Sequence, residues 1–174
     1  MRLLFTSVVT CLSLLFSDAV AQNSPNGADR PLRFVLSEID EKLIKEFNGA
    51  WQQCVLGSKD LEAVVLLLRE PNGSVRAVSA GRSTQSYAFT FKWNPDIIAV
   101  FHTHPNKRDP KPQPQDVQIA RRFNVPIFTL TSRGMYAYDP ITDRIARIKN
   151  GTEWLESTSW LTREQLATTK SPTR

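Results

Sequence analysis

Hydrophobic and polar positions along this chain change their period several times, and each change marks an element. Leu36, Ile39, Leu43, Phe47, Ala50 and Cys54 recur at three- and four-residue steps. That period predicts an amphipathic helix to about Leu56 with Ser37 as its N-cap, its apolar stripe packed on a sheet. Glu62 is followed by an unbroken apolar run from Ala63 to Leu68, as expected of a central strand covered on both faces. Pro71-Asn72-Gly73-Ser74 turns the chain back into a second strand from Val75 to Ala80, since Asn-Gly is the strongest short hairpin signal. Tyr87, Phe89, Phe91 and Trp93 alternate with polar or small residues and predict a strand with one buried face. Ile97 to Phe101 is a short buried strand. Beyond a Pro-rich loop come a helix from Asp116 to Phe123 and three further strands, Pro126 to Thr131, Met135 to Tyr138 and Ile145 to Ile148. Helix, strands, helix, strands without internal repeats implies the α/β class, a mixed β-sheet flanked by helices.

The chain start reads differently from the rest. Arg2, the largely apolar stretch Leu3 to Phe16 and the small-residue site Ala19-Val20-Ala21 have the form of a secretory signal peptide over residues 1–21. The apolar stretch is too short to span a bilayer, and after cleavage no membrane span is expected. Residues 22–34 are polar and aperiodic, a flexible lead-in; 35–164 form one domain, and 165–174 a frayed polar tail. The expected location is secreted or periplasmic. Removing residues 1–21 also removes Cys11, so Cys54 is left without a disulfide partner and stability must come from packing. Cys54 falls on the apolar helix stripe and reads as core.

The net charge of +5 favours anionic partners weakly, and an ordinary solvated surface explains it as well. Aromatic residues are not interleaved with the basic ones, so nucleic acid is not expected as a partner. Asn72-Gly73-Ser74 and Asn150-Gly151-Thr152 fit the N-glycosylation pattern, but Asn-Gly is also plain turn chemistry, and the turn reading is preferred.

The candidate chemistry sits at the end of the Ile97 strand. The chain has only two histidines, in His102-Thr103-His104-Pro105. Residues i and i+2 of a strand share a face, so both imidazoles aim at one point, as a chelating pair does. Two histidines rarely hold a metal alone, and a hydrolytic zinc site adds a third protein ligand while keeping its fourth position for water. Asp116, in the first turn of the next helix, is the acid to consider, and a negative charge there is favoured by the helix dipole as well.

At this point the chain resembles a known family. His102-x-His104-Pro105, seven further residues, position 113, two residues and Asp116 reproduce the spacing H-x-H-P-x7-S-x-x-D of the JAMM (JAB, MPN-plus) zinc metallopeptidases. Glu62, opening an apolar strand upstream, meets the family's requirement for a glutamate there. The resemblance covers most of residues 35 to 150 and implies a JAMM and cytidine-deaminase-like three-layer architecture. It further implies that His102, His104 and Asp116 hold Zn2+ and that Glu62 activates a water molecule for attack on a peptide or isopeptide carbonyl. Zinc lowers the pKa of its water toward roughly 7, and a carboxylate not bound to the metal can act as general base and later as acid to the leaving amine.

One position departs from the pattern: the family serine, which helps stabilise the tetrahedral intermediate, is Gln113 here. A side-chain amide can donate to an oxyanion as a hydroxyl can, but it is longer and reaches a different place. The alternative is therefore a catalytically weak or inactive binding module on the same fold. Lys107, Arg108 and Lys111 lie in the loop between His104 and Asp116, where they could receive an acidic substrate or a terminal carboxylate; a solvated loop is the plainer reading. The stretch between Glu62 and His102 is short, whereas members that remove ubiquitin carry insertions around the site. The chain is thus more similar to compact, exported bacterial JAB-type domains, with proteins or murein peptides as expected substrates.

Overall fold

In a computed structural model, residues 32–83 and 91–156 are described. The expected signal peptide, most of the expected lead-in, Tyr87 and Phe89 of the expected aromatic strand, and the expected tail all lie outside them. Two short elements open the described part: α1 (Leu32–Ser37) and α2 (Glu41–Gln53). Six strands follow, β1 (Ala63–Arg69), β2 (Val75–Arg82), β3 (Ile97–Thr103), β4 (Ile127–Thr131), β5 (Gly134–Asp139) and β6 (Arg144–Asn150). A third helix, α3 (Pro114–Phe123), joins β3 to β4, and a 3-10 turn at Glu153–Glu156 closes the described chain.

The strands form one sheet in the order β2-β1-β3-β4-β5-β6. Only β3 and β4 run parallel, as the helical crossover between them allows; every other neighbour is antiparallel. Alternation then divides the core in two. Ala63, Val65 and Leu67 of β1, with Ala99 and Phe101 of β3, face α2, whereas Val64, Leu66 and Val100 face α3. Both faces are covered, which is why β1 is apolar from Ala63 to Leu68 and β3 from Ile97 to Phe101. Phe47 of α2 stacks on Phe101 with ring centroids 4.1 Å apart, both fully buried, and fixes the helix to the centre of the sheet.

Several boundaries differ from expectation. The helix expected to follow Ser37 is two helices. The first, α1, already begins at Leu32, within the expected lead-in, where Leu32 and Val35 are buried. The N-cap of α2 is Asp40 rather than Ser37: its Oδ1 accepts from the Leu43 N–H at 3.0 Å, and Ile39 packs into the core at the break. At the other end α2 stops at Gln53 rather than near Leu56, because Val55, Leu56 and Gly57 in succession adopt positive φ. At Gly57 a side chain could not be accommodated, since a Cβ would fall 2.5 Å from the Trp51 ring and 2.7 Å from Asn106 Oδ1. Phe91 and Trp93 belong to no strand; Trp93 stacks on Phe123 of α3 at 4.0 Å and covers the second core without joining the ladder. Among the described residues no helix is long and apolar enough to cross a membrane.

Candidate metal centre

Register places the chemistry. Val64 of β1 lies opposite His102 of β3, and both face α3, as does Val100. Stepping two residues along each strand toward the same end of the sheet gives Glu62 on one and His104 on the other, on that same face. Asp116 arrives from the first turn of α3, which packs over the face. Glu62, His102, His104, Gln113 and Asp116 consequently line one pocket, together with Arg108.

The three candidate ligands converge. His102 Nε2 and His104 Nε2 are 3.0 Å apart, His102 Nε2 is 3.4 Å from Asp116 Oδ1, and His104 Nε2 is 3.7 Å from Asp116 Oδ2. Ligand atoms placed tetrahedrally at the usual zinc–nitrogen or zinc–oxygen distance lie about 3.3 Å from one another. The observed separations bracket that value, so a divalent ion fits among the three side chains. Among the described residues this is the His/Cys/Asp/Glu group that could hold a metal ion.

Each ligand is also aimed. The second ring nitrogen of His104, Nδ1, lies 3.0 Å from the Asp109 carbonyl oxygen, and donation there leaves Nε2 as the lone-pair nitrogen. The backbone of Phe128 takes a hydrogen bond from His102 in the same way. Asp116 Oδ2 accepts the N–H of Gln113 at 2.6 Å, the N-cap of α3, so the carboxylate is oriented by the start of its own helix. The His102 and His104 side chains are 7% and 2% exposed.

Burial opposes ionisation of Asp116, but the adjacent His102, the close approach of both imidazoles and the Gln113 N–H outweigh it, holding the carboxyl well below the usual range. Burial likewise opposes a charge on His102, and there the Asp116 carboxylate and, more weakly, Glu62 prevail, raising it above its ordinary value.

The loop from Pro105 to Gln113 is tied down at many points. Asn106 is bonded through its N–H to Gly57 O and through its side chain to Leu56 O and the Ser132 N–H. Thr129 Oγ1 donates to Pro110 O at 2.5 Å, and the His104 N–H extends the β4 ladder at Leu130 O. On the opposite face Thr103 Oγ1 accepts the Ala63 N–H at 2.9 Å and donates to Cys54 Sγ at 3.1 Å. The end of β3 is thereby clamped to β1 and to the end of α2.

Glu62 is 7% exposed, with its backbone paired to Ser83 on both sides. Its Oε1 lies 3.4 Å from Arg108 Nη1. The sequence grouped Arg108 with Lys107 and Lys111; the structure separates them, since Lys107 pairs with Asp60 at 2.7 Å and Lys111 is exposed. Gln113 lines the pocket, but its Nε2 donates to Lys111 O at 3.1 Å. The orienting carbonyl of Asp109 and the backbone of Phe128 carried no sequence signal, because any residue supplies a carbonyl. No protein-family model matches this chain, and no curated protein matches it.

Proposed function

We propose that the protein is a zinc-dependent hydrolase of the JAMM type, cleaving a peptide or isopeptide bond outside the cytoplasm. The observation that carries this reading is a buried carboxylate, Glu62, lining the same pocket as a His-His-Asp cluster drawn from two other segments of the chain. Two neutral imidazoles and a carboxylate suit Zn2+ and leave a fourth position open. A zinc ion held there would polarise the scissile carbonyl and lower the pKa of water toward roughly 7.

The chain's own residues supply the rest. Glu62 accepts a proton from the attacking water and passes it to the departing amine, so that hydroxyl adds to the acyl carbon, the C–N bond breaks and the proton ends on nitrogen. Asp116 and the histidines hold their geometry through the Gln113 N–H and the backbone carbonyls, which limits reorganisation during the reaction.

The test is twofold. Elemental analysis should find about one zinc per wild-type chain and none in His104→Ala. Zinc-loaded wild type should hydrolyse members of an isopeptide and murein-peptide panel, and Glu62→Gln should keep its zinc but lose hydrolysis. An active Glu62→Gln protein would refute the role given to that carboxylate. A second reading, a binding module on the same fold, is favoured by Gln113, whose side-chain amide is already engaged by Lys111 O. That reading predicts zinc in the wild type with no hydrolysis of any panel member.

A further inference from the structure

Of the three basic residues in the loop between His104 and Asp116, one is built into the pocket. Arg108 lines it, its N–H donates to Pro105 O at 2.9 Å, and its own carbonyl accepts from the Arg133 guanidinium. The backbone is thus fixed on both sides of the residue, and its side chain reaches Glu62 Oε1 at 3.4 Å. The charges are unequally placed: the Glu62 side chain is 9% exposed and the Arg108 side chain 31%, so the arginine is the more solvent-accessible of the two lining residues.

That position has a chemical consequence. If Glu62 delivers the proton to the departing amine, a group in contact with Glu62 stands close to the leaving half of the substrate at that step. In an α-amino acid the amine nitrogen and the carboxylate oxygens are only about 3 Å apart. A guanidinium beside the general acid is therefore within reach of the α-carboxylate of the residue being released. Planar guanidinium binds carboxylate through two parallel N–H donors, whereas the Arg108 Nη1 to Glu62 Oε1 separation is long at 3.4 Å. An incoming carboxylate would also draw Arg108 off Glu62 and leave both Glu62 oxygens open to water.

Resting on the hydrolase reading, we propose that Arg108 is a specificity residue that binds the free α-carboxylate of the leaving residue, so that the enzyme removes single residues from carboxyl termini. Hydrolysis then adds water across the last amide bond, the hydroxyl going to the acyl carbon and the proton to the released amino acid.

The probe is a pool of N-acetylated dipeptides, each prepared as the free acid and as the C-terminal amide. Zinc-loaded full-length Glu62→Gln protein should bind the acids about tenfold to a hundredfold more tightly than the amides, the range expected for one charge-assisted contact. The double variant Glu62→Gln/Arg108→Gln should lose that preference with its zinc content unchanged, and Glu62→Gln/Arg108→Lys should retain part of it. In turnover by wild type the same preference should appear in kcat/KM, with free amino acid as product, and Arg108→Gln should erase it. Equal binding of acids and amides, no binding of either, or a preference that survives in Arg108→Gln overturns the assignment; the last outcome places the carboxylate on the metal. Selective carboxylate binding without hydrolysis of any peptide would instead overturn the hydrolase reading and leave the Arg108 site standing.

Discussion

In the proposed hydrolase Gln113 would occupy the position of a small hydroxyl donor to a developing oxyanion, and one of its amide hydrogens is already committed to Lys111 O. Removing a single oxyanion donor from an enzyme costs about a hundredfold or more in kcat. Gln113→Ser should accordingly raise kcat by about tenfold or more with zinc content unchanged, because the N–H that orients Asp116 belongs to the backbone and is retained. Steady-state kinetics beside metal analysis checks it, and a fall in kcat would mean that the amide itself is the donor. Cys54 makes the opposite case. It is fully buried, and burial raises its thiol above the ordinary value although Thr103 donates to the sulfur. A raised pKa depletes thiolate at neutral and mildly alkaline pH, so in a Cys11→Ser variant Ellman's reagent should leave the native protein unmodified at pH 8 and react fully once it is unfolded. Fast reaction of the native state would count against a core role for this residue.

The elements that position these side chains were legible where one face dominates. The apolar run Ile97 to Phe101 of β3, covered by α2 and α3, reads as a buried strand, and the alternation that buries Val100 on one face sends His102 to that same face. The start of α2 was not legible, because Ser37 and Asp40 are both competent caps; what decides between them is the burial of Ile39 at the break, a tertiary fact. Phe91 and Trp93 alternate as a strand does, yet they pay their way by packing on Phe123 and the second core. The candidate ligands could be named because His-x-His and the count to Asp116 are local patterns. Arg108 could not be singled out, since its contact to Glu62 depends on a turn fixed by Arg133 and on Asp60 drawing Lys107 away. Element packing also makes a stability prediction. Phe47→Ala removes the ring stacked on Phe101 and should cost about 3–5 kcal/mol in urea unfolding, while the folded fraction still binds zinc, because the ligands stand on the other face of β3.

For the whole molecule, the consequence of the candidate site is that a bound ion joins parts of the fold that the chain itself connects only through a loop. Two ligands stand at the end of β3 and the third on α3, with the Pro-rich loop between them. A ligand that binds only the folded state adds RT ln(1 + [L]/Kd) to stability, about 2.7 kcal/mol when free metal is a hundredfold above Kd. Zinc should therefore raise the melting temperature of the wild type, a chelator should reverse the rise, and Asp116→Ala should show neither effect. Asp116→Asn separates the two ways that α3 is held. It keeps an oxygen that can accept the Gln113 N–H and so preserves the start of the helix, but it removes the anionic ligand. Its metal-free melting temperature should lie closer to that of the wild type than the Asp116→Ala value does, while its zinc-induced rise should be smaller than in wild type. A full zinc-induced rise in Asp116→Ala would mean that the ion sits elsewhere and that α3 is held by packing alone.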